Sequence, residues 1–127
     1  MGSKQNIDLG ISAEKAAAVF LKDKGYKILS TNYRTRLGEI DIVAKEKDTL
    51  VFVEVKARRS DRFGLPQEAV TARKQRQISK AALSFLKENN LLDKKARFDV
   101  VSLVCGDFQT GPELIKNAFE LDGSFTL

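Results

Sequence analysis

The run Leu50-Val51-Phe52-Val53-Glu54-Val55-Lys56 constrains this chain more than any other stretch. β-Branched and aromatic residues dominate it, which predicts a strand from Leu50 to Ala57. It is apolar at nearly every position rather than at every second one, the pattern of a strand covered on both faces inside a layered α/β structure. A carboxylate at Glu54 is expensive there, because a buried charge without a partner is rarely tolerated. The strand therefore demands a cation for Glu54, either a basic side chain or a metal ion.

Around this strand the remaining elements fall into order. Ile40 to Ala44 predicts a second strand, and polar Lys45-Glu46-Lys47-Asp48-Thr49 joins the two as a hairpin. Upstream, Ser12 to Lys24 predicts a helix with Ala13, Ala16, Ala17 and Phe20 as its apolar stripe and Gly25 as its stop. Tyr26 to Leu29 opens a first strand that continues irregularly through Thr31-Asn32-Tyr33-Arg34. Gly64-Leu65-Pro66 interrupts the chain. A helix from Thr71 to Glu88 follows, burying Ile78, Ala81, Ala82, Phe85 and Leu86. Phe98 to Val104 is a further strand and Leu114 to Phe119 an edge strand. The core order αβββαβ implies a mixed β-sheet flanked by helices. With 127 residues and no repeat or linker, one domain over residues 1–127 is expected, with an ordered core over about 10–120.

The composition limits the chemistry. There is no histidine and one cysteine, Cys105, so a disulfide within the chain, a zinc cluster and an activated thiol nucleophile are all excluded. Any metal would be held by carboxylates and carbonyls, which favours magnesium, calcium or manganese. Strand alternation puts Glu39, Asp41 and Val43 on one face, and Glu54, Lys56 and Arg58 on one face of the next strand. With a short turn near Lys47, Asp41 falls opposite Glu54, their β-carbons ~5 Å apart. Two carboxylates that close repel unless a cation lies between them. Lys56, on the same face, could orient a water or neutralise charge. The plainer alternative is a structural salt bridge among Glu54, Lys56 and a neighbour such as Arg36, and Glu-x-Lys alone carries little information.

The net charge of +5 favours a polyanionic partner. Arg58, Arg59 and Arg62 follow the acidic strand, and Arg73, Lys74, Arg76 and Lys80 load the second helix. Together they either hold a phosphate backbone beside the acids or form a solvated face. Lys74 precedes Ile78 by one turn, so it can point toward the acids. Nothing resembles a groove-reading helix or an aromatic stacking platform, so base-specific recognition is not expected. Glu14 aligns with Ala17, Ala18 and Leu21 at the edge of a buried face or in solvent, and Glu39 reads as an exposed turn residue. Asp99, in an apolar strand, either pairs with a basic helix or touches metal. No apolar run approaches a membrane span and no leader is evident, so a cytoplasmic address is expected.

Taken together, several blocks resemble the YraN-like family of predicted endonucleases. They are Gly38-Glu39-Ile40-Asp41-Ile42-Val43-Ala44, Leu50 through Arg58, Phe63-Gly64-Leu65-Pro66, Glu68-Ala69-Val70 and Arg97-Phe98-Asp99-Val100-Val101. They keep their order over about Glu14 to Phe119. That family is similar to archaeal Holliday-junction resolvases, within the restriction-endonuclease-like superfamily. The resemblance implies a restriction-endonuclease-like α/β fold and hydrolysis of DNA phosphodiester bonds, with branched DNA favoured by analogy. Its motif, an aspartate and then an acid two residues before a lysine, lands on Asp41, Glu54 and Lys56. It implies Mg2+ or Mn2+ held by Asp41, Glu54 and the Val55 carbonyl, with Glu14 as an added acid and Lys56 acting on the attacking water. The family usually has glycine directly before this glutamate, where Ala13 stands here. A symmetric homodimer is expected by the same analogy. The competing expectation is a nucleic-acid-binding protein that keeps the fold without catalysis.

Overall fold

A computed structural model describes residues 2–59, 70–105 and 111–120, with side chains placed within 13–57, 70–104 and 111–120. The elements are α1 (Gly2–Asp23), β1 (Lys27–Arg34), β2 (Glu39–Glu46), β3 (Thr49–Arg59), α2 (Ala72–Glu88), β4 (Ala96–Cys105) and β5 (Glu113–Phe119). The strands form one sheet in the order β1-β2-β3-β4-β5. Neighbours are antiparallel except β3 and β4, which run parallel across the α2 crossover. This is the α/β mixed sheet with core order αβββαβ expected from the sequence, compatible with a restriction-endonuclease-like fold. β5 adds an antiparallel edge. No helix among the described residues is long and apolar enough to cross a membrane.

Each face of the sheet has its own core. Ala17 and Leu21 of α1 pack with Tyr26, Ile42, Ala44, Val51, Val53 and Val101. On the other face Ile78, Ala81, Ala82, Phe85 and Leu86 of α2 cover Leu50, Phe52, Phe98 and Val100. The double-sided burial of β3 follows directly, with Phe52 facing α2 while Val51 and Val53 face α1.

Helix α1 begins well before Ser12, and its buried stripe is Ala13, Ala17 and Leu21 rather than one including Ala16, which is exposed. A spacing of four residues tracks one face of the helix, and Ala16 falls off it. The stop at Gly25 is as expected. Tyr26 N–H donates to the Leu21 carbonyl and Gly25 N–H to that of Lys22, with Gly25 at φ +93°, a Schellman closure. β1 is one strand, not a strand and an irregular tail. A register shift between Ile28 and Ser30 and a positive φ at Asn32 account for its irregular sequence pattern. Thr71 caps α2, its side chain accepting the Lys74 N–H. The Gly64-Leu65-Pro66 interruption and Arg62 lie outside the described residues.

Asp99 is fully buried on the α1 face, and its partner is not the expected basic helix. Its partner is Arg97 of its own strand, through Nε at 2.9 Å and Nη2 at 3.1 Å. The Tyr26 hydroxyl and the Asn117 N–H also donate to it. Its oxygens are thus occupied by protein donors, and no basic helix is involved. Arg97 extends the network to Glu46, which Lys116 also binds.

Gly38, between β1 and β2, lies against the backbone of α2. A β-carbon there would collide with the Gln77 carbonyl, whose carbon would be 2.8 Å away. Since the obstacle is helix backbone rather than a flexible side chain, Gly38→Ala should destabilise the protein by roughly 1–3 kcal/mol. Urea unfolding at neutral pH checks this, and an unchanged midpoint would contradict it.

Candidate functional site

The hairpin ladder between β2 and β3 runs from Glu46 opposite Thr49 to Ile42 opposite Val53. One more step in the same register puts Asp41 opposite Glu54, but the ladder stops there. The Asp41 side chain takes over instead, its Oδ2 accepting the Val55 N–H at 2.8 Å. Alternation is interrupted at the same place, for Ile40 joins the core under α2 whereas Ile42 joins that under α1. Asp41 is therefore fixed by backbone at the point where the strands part.

Glu54 is 5% exposed, and its partner is Lys74, with Nζ 2.7 Å from Oε1. The cation comes from α2, not from Arg36. Asp41, Glu54 and Lys74 line a cavity of about 200 Å³ together with Glu39, Gln77 and Ile78. Larger, more apolar concavities lie elsewhere among the described residues, none with more than one acid in its lining. Gln77 escaped the sequence reading, although its place one turn beyond Lys74 on the same helix was a usable signal.

The remaining expected residues distribute unevenly. Lys56 is half-buried and lies across from Ser102 of β4, outside the lining of the acid cavity. Glu14 is half-buried on α1 and lines a separate depression with Lys15, Ala18, Thr31 and Asn32. Its charge still reaches Asp41. No group of three acids close enough to grip a metal occurs among the described residues, so Glu14 does not complete a three-carboxylate cluster here. Glu39 is exposed, pairs with Arg34 and edges the cavity. Arg73 and Arg76 are exposed on α2. The side chains of Arg58 and Arg59 lie outside the described residues.

The electrostatics explain what the pair of acids lacks. Burial, and then the Glu54 charge, push the Asp41 carboxyl up to about 7, with Glu14 adding to the push. The Val55 N–H and Lys74 oppose the shift without cancelling it. Burial alone would lower Lys74, but its hydrogen bond and charge interaction with Glu54, aided by Asp41 and Glu39, raise it. One ammonium thus serves two carboxylates and satisfies one of them. The donor set is all oxygen, with an uncompensated negative site beside Asp41, and this fits a hard divalent ion.

A family model described as an uncharacterised protein family, UPF0102, matches residues 13–103. The chain belongs to UPF0102. The YraN-like resemblance is borne out at that level. The UPF0102 chain is similar to a UPF0102 protein of Syntrophus aciditrophicus, 52% identical over 117 residues and 92% of each chain. It is also similar to one of Geobacter sulfurreducens, 50% identical over 121 residues and 94% of each. A third, of Geobacter metallireducens, is 52% identical over 119 residues, covering 94% of this chain and 98% of the relative. The matched region contains Asp41, Glu54, Lys56 and Lys74.

The sign of the Asp41 shift gives a stability test for the metal-free protein. Its folded value, about 7, lies above the ordinary 3.8, so ionisation opposes folding. That penalty is full above about pH 7 and shrinks as the pH falls toward 4. Asp41→Asn keeps an acceptor for Val55 and removes the charge. It should stabilise the protein by about 1–3 kcal/mol at pH 8 and by clearly less at pH 5. Melting temperatures of both proteins across this range, in EDTA, decide it, and a pH-independent difference contradicts it.

Proposed function

We propose that this protein is a divalent-metal-dependent nuclease that hydrolyses phosphodiester bonds in DNA. The observation that supports this best is the Asp41–Glu54 pair in one cavity, with Asp41 pinned by the Val55 N–H and more negative charge than Lys74 balances. Asp41 and Glu54, with the Val55 carbonyl, would hold Mg2+ or Mn2+. Such an ion supplies a more acidic water and neutralises charge developing on a phosphate.

The chain's own groups do the rest. The Val55 N–H fixes the Asp41 carboxylate, leaving its second oxygen for the metal. Lys56 orients the water that attacks phosphorus as the bond to the leaving oxygen breaks. With a metal ion held at Glu54, Lys74 would be free to bind a phosphate oxygen at the same site. Arg73 and Arg76 on the exposed side of α2, with Arg58 and Arg59 at the end of β3, hold flanking phosphates. This is contact with backbone rather than bases, and it suits recognition by DNA shape, branched DNA included. A homodimer presenting two such sites would cut two strands, and a cytoplasmic address accords with this reading.

The Lys74–Glu54 ion pair favours one second reading, a non-catalytic binding protein in which lysine permanently replaces the metal. Labelled four-way-junction, flap, single-stranded and duplex DNA, incubated with Mg2+, Mn2+ or EDTA, separate the two. Metal-dependent cutting is expected, reduced roughly 100-fold or more in Asp41→Ala and Lys56→Ala while DNA binding persists. Binding without cutting under every condition would replace the nuclease reading with the second one.

A further inference from the structure

At the opposite end of the same sheet, a cavity of about 320 Å³ opens on the α2 face beyond the end of that helix. Its lining is Lys27 and Leu29 of β1, Lys45 of β2, Asp48 of the hairpin turn, Leu50 of β3, and Leu91 and Lys94 of the segment after α2. Leu50 precedes Glu54 by four strand residues, roughly 13 Å, so this cavity is separate from the acid site.

Lys27 and Lys45 are directly opposed across the β1–β2 ladder. Like charges in that arrangement destabilise a sheet. Neither lysine, nor Lys94, forms an ion pair with an acid among the described residues. Three ammoniums from three elements thus face one cavity against the single carboxylate of Asp48. The walls are tied by backbone. Leu91 N–H donates to the Leu86 carbonyl, Lys94 N–H to that of Leu91, and Leu50 N–H to that of Lys95. The floor is apolar, formed by Leu29, Leu50 and Leu91, and Leu29 is exposed.

We propose that this cavity is a binding site for a phosphate-bearing ligand, whose phosphate sits among Lys27, Lys45 and Lys94 and whose less polar part covers Leu29 and Leu91. An anion would turn the opposed lysines from a liability into a chelating pair. Lysine point charges without an arginine fork grip phosphate and leave its orientation free. The phosphate can belong to a free nucleotide or to a nucleic-acid backbone, two sources with the same chemistry at the lysines. The inference does not depend on catalysis at Asp41 and Glu54.

Amide spectra of the isotope-labelled full chain provide the test, with pyrophosphate, adenosine monophosphate and a short DNA duplex titrated separately in EDTA. At least one of them should shift Lys27, Lys45, Leu50, Leu91 and Lys94 together in a saturable way. Lys27→Gln combined with Lys45→Gln should weaken that response about tenfold or more, with the response of Asp41→Ala unchanged. A response to pyrophosphate or the nucleotide identifies a free ligand, whereas a response to duplex alone identifies backbone. The double variant by itself should melt at the same temperature or higher, since it removes a repulsion. No concerted shift with any probe would overturn the site, as would a variant that responds like wild type. A lower melting temperature of the double variant would show that the lysines serve the fold, and it too would overturn the proposal.

Discussion

One hydrogen bond, from the Val55 N–H to the Asp41 carboxylate, organises the functional end of the molecule. A hairpin ladder normally spends its amides on carbonyls of the partner strand. Here the ladder ends and a side chain accepts the next amide, so a carboxylate is held with the stiffness of backbone. The neighbouring acid on β3 then has a fixed counterpart instead of a flexible one that could swing away from its charge. Without that restraint the repulsion between Asp41 and Glu54 would be relieved by rotation. With it, the repulsion is stored in the fold and available to any cation that arrives.

The surroundings maintain that arrangement. Cores on both faces of β3 keep Glu54 from reaching water, and the tight seating of Gly38 on Gln77 brings the start of β2 against α2. That contact sets Lys74 and Gln77 over the acids. A buried carboxylate pair and a helix carrying its counter-cation are thus two results of one packing arrangement.

Much of this was legible in the sequence because it depended on short-range periodicity. The double-sided burial of β3, the buried face of α2 and the hairpin register as far as Ile42 opposite Val53 all follow from strand and helix periods and a short turn. The partner of Glu54 was not legible in the same way. Arg36 and Lys74 were both basic and both near in principle, and only the path of α2 over the sheet selects Lys74. Asp99 misled for a related reason, since an arginine two residues away on the same strand face satisfies it with help from distant Tyr26 and Asn117. The stripe on α1 was misplaced at Ala16, because a run of alanines offers no contrast by which to fix the helical phase. Glu14 comes with α1 from the other face; its charge acts on Asp41, while its side chain lines a depression distinct from the acid cavity.

The Asp99 network has a consequence of its own. Tyr26 follows α1, Glu46 ends β2, Arg97 and Asp99 belong to β4, and Lys116 and Asn117 to β5, yet a single web of charged hydrogen bonds joins them. An outermost strand would ordinarily be the first part of a sheet to fray. Peeling β5 away here would strip the Asn117 N–H from the fully buried Asp99 carboxylate and the Lys116 ammonium from Glu46. The border strand is thereby enrolled in the same cooperative unit as the centre, and solvent exchange at its amides should require the concerted opening of three strands and the turn after α1 rather than the breathing of one.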